Sequence, residues 1–333
     1  MFDKYKIMSV KKDSFDKADV VVSKVLKGLP NITRYNNRGV AVLVDPRSIF
    51  LSISIEVVRQ LYYLESSPIL SCCFTREIGL AERVRAGEYL LSRFNLLGAK
   101  VKALNSAYAR ALRTATYLRS VSAVGIRGVH DQKHQNEKMV SAIVTTLSDY
   151  LEHTKDLSSG EFCCLPGGWS RRGNNHANYF LIRKNDDESY DLSVCDNIYI
   201  DKASGQQYYL AITNIPKAEF IRLSMDLFQN VLLGVVGING DSEVSGALKM
   251  FMQGSKTAGA TASLHERQNP ITDNCVLANL DLFDSLALGD DYNAYIDRVK
   301  QFAVNRMLEM DSHGFDGHKF LKSWLIKNNI PFG

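Results

Sequence analysis

The segment NYFLIRKNDDESYDLSVCDN, residues 178–197, leaves the chain few choices. Two runs rich in aromatic and β-branched residues flank a tip of Asn, Asp, Glu and Ser, the residue types that reverse a backbone. The pattern predicts a β-hairpin. In its first run Tyr179, Phe180, Leu181 and Ile182 are apolar without interruption, as in a strand buried on both faces. In the second, Tyr190, Leu192 and Val194 alternate with Asp191, Ser193 and Cys195, which buries one face. With the turn centred on Asp186, His176 falls opposite Asp196. Side chains directly opposite have Cβ atoms roughly 4.5–5.5 Å apart, which suits an imidazole N–H bonded to a carboxylate. Such a partner sets the tautomer of the histidine and stabilises its cation. A tip one residue longer brings Asn197 opposite instead. Asp196 is the better partner, since a carboxylate stabilises imidazolium more than an amide does.

Around the hairpin, periodicity divides the chain. Residues 74–128 contain no proline, and Val101, Leu104, Tyr108, Leu112 and Ala115 recur at three- and four-residue steps. Met139, Ile143, Leu147 and Leu151 repeat every four residues and predict a further helix. From about residue 160, CCLPGGW marks a turn-rich approach to the strands, and QQYYLAITNI predicts a third strand. KAEFIRLSMDLFQNVLLGV predicts a helix, while INGDSEVSG and QGSKTAGATAS read as loops. NCVLANLDLFDSLAL and stretches near 291–310 and 316–327 are helical again. The expected fold class is α+β: a helical N-terminal half, then a mixed β-sheet flanked by helices. The expected domains are residues 1–158, helical and suited to docking a target, and residues 159–333, catalytic.

Composition bounds the function. With 45% apolar and 23% charged residues among 333, a sizeable core is expected. A net charge of +4 is too small to argue for nucleic acid. No cleavable signal pattern opens the chain, and the longest apolar run, VLLGVVGI, falls far short of the roughly 20 residues of a membrane helix. A soluble, cytosolic protein without a transmembrane segment is expected. Residues 74–128 hold ten Arg or Lys against three Glu, a local charge of +7. That is either a solvated helical face or a docking surface for an acidic partner or anionic membrane. The six cysteines include two adjacent pairs and no CxxC, which points to a reducing compartment rather than a disulfide framework. No Cys/His spacing suits a metal, and no cofactor is expected.

A second informative stretch is RQNPITDNCVLANL, residues 267–280. Cys275 follows Pro270 and the capping types Thr272, Asp273 and Asn274. It precedes Val276, Leu280, Phe283 and Ala287 at helical spacing, so it belongs in the first turn of a helix. There the macrodipole and free backbone N–H groups favour a thiolate, and a neighbouring His⁺ lowers the thiol pKa further. Gln268 in the preceding loop is placed to offer its amide to an oxyanion, with the Cys275 backbone N–H as second donor. Cys163 and Cys164 read as structural. His130, His134, His153 and His265 have no carboxylate at a recognisable spacing, although His265 is a reserve candidate for the base. His313 and His318 read as part of a polar turn between helices.

The order His176, Asp196, Gln268, Cys275 resembles that of the ubiquitin-like-protein-specific cysteine proteases, an order shared with the adenoviral protease and the Yop-type acetyltransferases. The texture GGW…HANYFLIRK…SYDLSVCDN with a later Q…NC also resembles secreted effector deubiquitinases of intracellular bacteria such as Legionella. The resemblance covers roughly residues 163–290. Ala177 and Val276 stand where the eukaryotic members have tryptophan and glycine, and the Gln-to-Cys spacing is one residue longer, which bears on Gln268 more than on His176 or Cys275. The resemblance implies a thiol protease or isopeptidase acting on conjugates of ubiquitin or a ubiquitin-like protein. His176 is then the base, Asp196 its orienting residue, Cys275 the nucleophile, and Gln268 an oxyanion donor. Gly167, Gly168 and Trp169 would wall a narrow channel for a Gly-Gly-type C-terminus. As a bacterial effector the protein would reach the host cytoplasm without a cleavable signal. Three alternatives use the same residues differently: an acetyltransferase with its cofactor on the basic 74–128 region, a glutamine deamidase or transglutaminase, and a non-catalytic adaptor.

Overall fold

The computed structural model describes residues 33–35, 41–43, 46–64, 75–93, 98–124, 132–171, 174–200, 207–267, 275–311 and 318–332. In chain order these form β1 (Thr33–Tyr35), β2 (Ala41–Leu43), α1 (Pro46–Leu61), α2 (Arg76–Arg93), α3 (Gly98–Val124) and α4 (Gln132–Lys155). The strands β3 (Phe162–Arg171), β4 (Asn174–Lys184), β5 (Tyr190–Ile200) and β6 (Gln207–Ile215) follow. Next come α5 (Lys217–Val235), α6 (Asp241–Thr257), β7 (Thr261–Glu266), α7 (Cys275–Leu288), α8 (Tyr292–Asp311) and α9 (His318–Lys327). They fall into two compact units. One holds the described residues from Arg76 to Arg267 together with Cys275–Tyr292, and the other holds those before Arg76 and from Asn293 onward.

The smaller unit contains the antiparallel pair β1–β2 and the helices α1, α8 and α9. Ile55, Val58, Val299, Val304, Met307 and Leu325 are among its buried side chains.

The larger unit is built on a five-stranded sheet in the order β3-β4-β5-β6-β7. Every neighbouring pair is antiparallel, so the sheet is not the mixed one expected. The short connections from β3 through β6 permit only antiparallel neighbours, and β7 joins β6 after two intervening helices. On one face Phe180, Ile182, Leu192, Val194 and Ile212 pack with Leu118, Ile143, Tyr150, Phe220, Phe228 and Phe251 in a single apolar cluster. Helices α3 and α4 therefore share a core with the sheet, and the expected boundary at residue 158 runs through this unit. Alternation along α3 and α4 located their buried faces, but which partner covers those faces is a tertiary matter.

Two stretches expected as loops are ordered elements. The INGDSEVSG stretch contains the start of α6, where the Gly240 N–H donates to Glu243 Oε2 at 2.9 Å. QGSKTAGATAS ends α6 and begins β7, whose pairing comes from β6 rather than from its own propensity. CCLPGGW, expected as a turn, lies within β3. Its glycines fit an edge strand because other groups approach them closely.

Helix α7 lies across β4 and β5 beside α2 and α3. It is buried all round from Val276 to Asp284, the mark of a central helix. Phe283 meets Tyr108 at 5.3 Å and Phe162 at 6.3 Å between ring centroids. Its buried carboxylate, Asp284, is paired: Arg83 Nε lies 3.0 Å from Oδ2, and the Tyr108 hydroxyl donates to Oδ1 at 2.5 Å. Burial nevertheless pushes the Asp284 carboxyl up to about 7, opposed by Arg83 and by the Tyr108 hydrogen bond. Replacing Arg83 by Met strands that carboxylate, and we expect a loss of about 3–5 kcal/mol. Asp284 is charged in the unfolded chain above its ordinary 3.8 but only above about 7 when folded, so the loss should shrink as pH falls from 8 to 5. Urea unfolding of both proteins at the two pH values measures it.

Candidate active site

The β4–β5 hairpin carries the histidine and its carboxylate. Its tip runs from Asn185 to Ser189, closed by the Asn185 N–H donating to Ser189 O at 2.9 Å. Asp187 Oδ1 accepts from both the backbone N–H and the hydroxyl of Ser189, at 3.0 and 2.6 Å, and Glu188 takes a positive φ of 65°. These local bonds centre the turn on Asp187, one residue beyond the expected Asp186. Tyr179 then lies opposite Cys195 and Arg183 opposite Asp191. Continued by one residue, this register sets Asn178 opposite Asp196, with His176 diagonal to it. A shift of two in partner number keeps every side chain on its own face, so the expected pair survives. His176 Nε2 is 2.7 Å from Asp196 Oδ1. Asn197 lies in β5, but its side chain is outside the described residues.

Asn178 was missed by the sequence reading. Its Nδ2 donates to Asp196 Oδ2 at 3.0 Å, so the carboxylate is held on both oxygens. The signal was available: two residues beyond His176 on a strand, it must share the face of His176.

Cys275 is the first residue of α7 and half-buried, and its sulfur is hydrogen-bonded by His176 and by the Ala177 backbone N–H. Since Asp196 holds Nε2, the nitrogen left for the thiol is Nδ1. Asn279, one helical turn along, fixes the helix on the strand by donating from Nδ2 to Ala177 O at 2.8 Å. The buried Arg267 secures Asn279 in turn: Nη1 donates to Asn279 Oδ1 at 3.3 Å and Nη2 to the Ala278 carbonyl. One residue, Ala177, thus contacts the sulfur through its N–H and the helix that carries Cys275 through its carbonyl.

The electrostatics separate this thiol from the other three described ones. Burial pushes Cys163 up to about 12 and holds Cys164 and Cys195 well above their ordinary value too. Burial also acts to raise Cys275, but the His176 and Ala177 hydrogen bonds and the imidazolium charge outweigh it and lower the thiol below its ordinary value. For His176 burial favours the neutral ring, yet the bonds to Asp196 and Cys275 prevail and raise it to about 10. Both shifts favour the charged pair, thiolate and imidazolium, over the neutral one. Its cation contributes to stability fully below the ordinary 6.5 and loses that contribution as pH rises through about 10.

The remaining candidates separate cleanly. Trp169 is half-exposed and lies against the His176 ring at 5.6 Å. Gly167 and Gly168 are buried. A Cβ at Gly167 would meet Asn178 Oδ1 and, at 2.6 Å, the Phe180 ring. At Gly168, with φ of +117°, it would meet the His176 carbonyl and, at 2.7 Å, Arg76 Nη2. The space in front of both glycines is filled by the protein's own atoms, so they serve close packing rather than an open channel wall. His265 Nε2 is 2.7 Å from Ser263 Oγ and its ring stacks on Tyr209, which engages it elsewhere. Gln268, His130 and His313 lie outside the described residues, as do the side chains of His134 and His318. In the basic stretch, Arg83, Arg85, Lys100, Arg110 and Arg119 pair with carboxylates of the chain itself, which leaves less charge for a partner than composition implied. No helix among the described residues is long and apolar enough to cross a membrane.

No protein-family model matches the chain, and no curated protein matches it.

Two measurements check this geometry. The His176 ring should titrate near pH 10 by NMR, and in Cys275→Ser, where no thiolate faces it, the titration should move towards 6.5 while Asp196 keeps it above that value. Gly167→Ala should cost on the order of 1–3 kcal/mol by overpacking, and by displacing Asn178 it should also lower the His176 titration. An unchanged titration in a folded Gly167→Ala protein would show that Asn178 does not hold Asp196.

Proposed function

We propose that the chain is a cysteine protease of isopeptidase type that releases ubiquitin or a ubiquitin-like protein from conjugates. The observation that supports it is the relay itself: a helix-start thiol bonded to a histidine whose other nitrogen is 2.7 Å from a carboxylate. The choice of ubiquitin-like substrates rests on the resemblance in residue order.

In the resting state the proton of Cys275 already sits on His176, so the thiolate attacks the substrate carbonyl carbon directly. The carbonyl π pair moves to oxygen, and the oxyanion faces the N-terminal backbone N–H groups of α7, with Gln268 as the expected side-chain donor. Collapse of the adduct expels the amine, which takes its proton from His176 Nδ1. A thioester on Cys275 remains. His176, now neutral, accepts a proton from water as the water oxygen attacks the thioester, and the acid leaves as the thiolate re-forms. Asp196 holds the ring in the tautomer that serves both transfers. Trp169, half-exposed against His176, forms the wall past which an extended, side-chain-free tail threads.

Intact mass after incubation with C-terminally electrophilic ubiquitin and ubiquitin-like probes tests the reading. Wild type should gain an adduct that Cys275→Ala lacks, and Asp196→Asn should react more slowly than wild type while keeping some rate. Trp169→Ala should slow capture of the ubiquitin probe more than alkylation by a small reagent. If no probe reacts although Cys275 is readily alkylated, the isopeptidase reading fails. Assays for acetyl transfer from acetyl-CoA or for glutamine deamidation would then take its place.

A further inference from the structure

When the thiolate–imidazolium pair forms, the charges of Asp196, His176 and Cys275 sum to one net negative charge in a half-buried site. Uncompensated charge in such a place is costly, so a fixed cation is expected nearby. Arg76 meets that requirement. It is the first residue of α2, and its Nη2 lies 2.7 Å from where a Cβ of Gly168 would be. That same point abuts the His176 carbonyl and Ala177 Cα, the residue whose N–H bonds the Cys275 sulfur. Only glycine, with φ of +117° and no side chain, leaves room there for a guanidinium.

The groups facing Arg76 are Tyr179 from β4, Glu77 from α2, Cys275 from α7 and Arg119 from α3. Glu77 is shared between two cations, since its Oε2 also accepts from Arg119 Nη1 at 2.8 Å. Burial raises the Tyr179 phenol well above its usual value, so it stays uncharged, and its hydroxyl is buried without a partner. Arg76 Nε is likewise buried without one. Burial draws the guanidinium pKa down, yet Arg remains charged in proteins. Beside Glu77, the Cys275 thiolate is the anion among the described groups that it balances.

We propose that Arg76 is a positioning residue that acts through Cys275, its charge compensating the nucleophile and its place secured by the notch at Gly168. The proposal rests on the thiolate–imidazolium reading above and adds a second cation to it.

The test is the pH dependence of Cys275 alkylation by iodoacetamide in the full chain, followed by mass, for wild type, Arg76→Met, Arg76→Gln and Arg76→Lys. In both neutral variants the alkylation midpoint should rise by about half a unit or more, roughly a threefold lower rate below the midpoint. Arg76→Lys, which keeps the charge, should stay close to wild type. Thermal unfolding identifies any variant that fails to fold, and one folded neutral variant suffices. A neutral variant with the wild-type midpoint overturns the proposal while leaving the thiolate reading intact. Equal shifts in Arg76→Lys and the neutral variants overturn it too, because shape rather than charge is then what matters. A wild-type midpoint at the ordinary thiol value, about 8.5, removes the thiolate reading itself and the proposal with it.

Discussion

The contact between α7 and β4 is the joint on which the site depends. A thiol on a helix and an imidazole on a strand meet only if the two elements hold one register. Here a buried amide sets it: Asn279 donates to the Ala177 carbonyl, and Arg267 satisfies the amide oxygen. A buried polar group without partners is expensive, so this arrangement tolerates little sliding. The Asp284 carboxylate, held by Arg83 and Tyr108, fixes the same helix farther along and ties it to α2 and α3. Apolar contacts through Phe283 supply adhesion, and the polar contacts supply position.

Position then becomes chemistry through local fields. Cys163, Cys164 and Cys195 are as much cysteine as Cys275, yet burial outweighs the pull of Arg110 on Cys163 and of Arg267 on Cys195 and keeps each a neutral thiol. Cys275 is partly buried as well, but it meets an imidazolium and a backbone N–H, and both favour its anion. Asp196 matters because two donors fix its orientation, one from the histidine and one from Asn178.

Tight packing next to the site explains the glycines. Gly167 leaves room for Asn178, and Gly168 leaves room for Arg76 beside the His176 carbonyl. Gly234 on α5 in turn packs against the Gly168 carbonyl, with Val244 Cγ2 at 3.0 Å from where its Cβ would be. The edge strand thus trades side chains for close approach by a helix and by two polar groups that serve the carboxylate and the thiol.

Much of this was legible in the chain. Period-two alternation revealed the hairpin, helical spacing put Cys275 at a helix start, and the residue types at 176 and 196 marked a histidine and its carboxylate partner. Those features are local, set by side-chain direction and turn chemistry within a few residues. The turn centre was misjudged by one position because Ser189 bonds to Asp187 selected a five-residue tip, and face parity kept the pairing harmless. Asn178 and Asn279 were within reach of the same periodicities, at two and four residues from His176 and Cys275. Arg76 was not, nor was the membership of α3 and α4 in the sheet's core. Those depend on contacts between residues far apart in the chain, which no local period encodes. The sequence by itself determined which faces were apolar and which groups could be nucleophile, base and acid. Only the tertiary structure decided which face met which, and so which cation and which amide stood beside the sulfur.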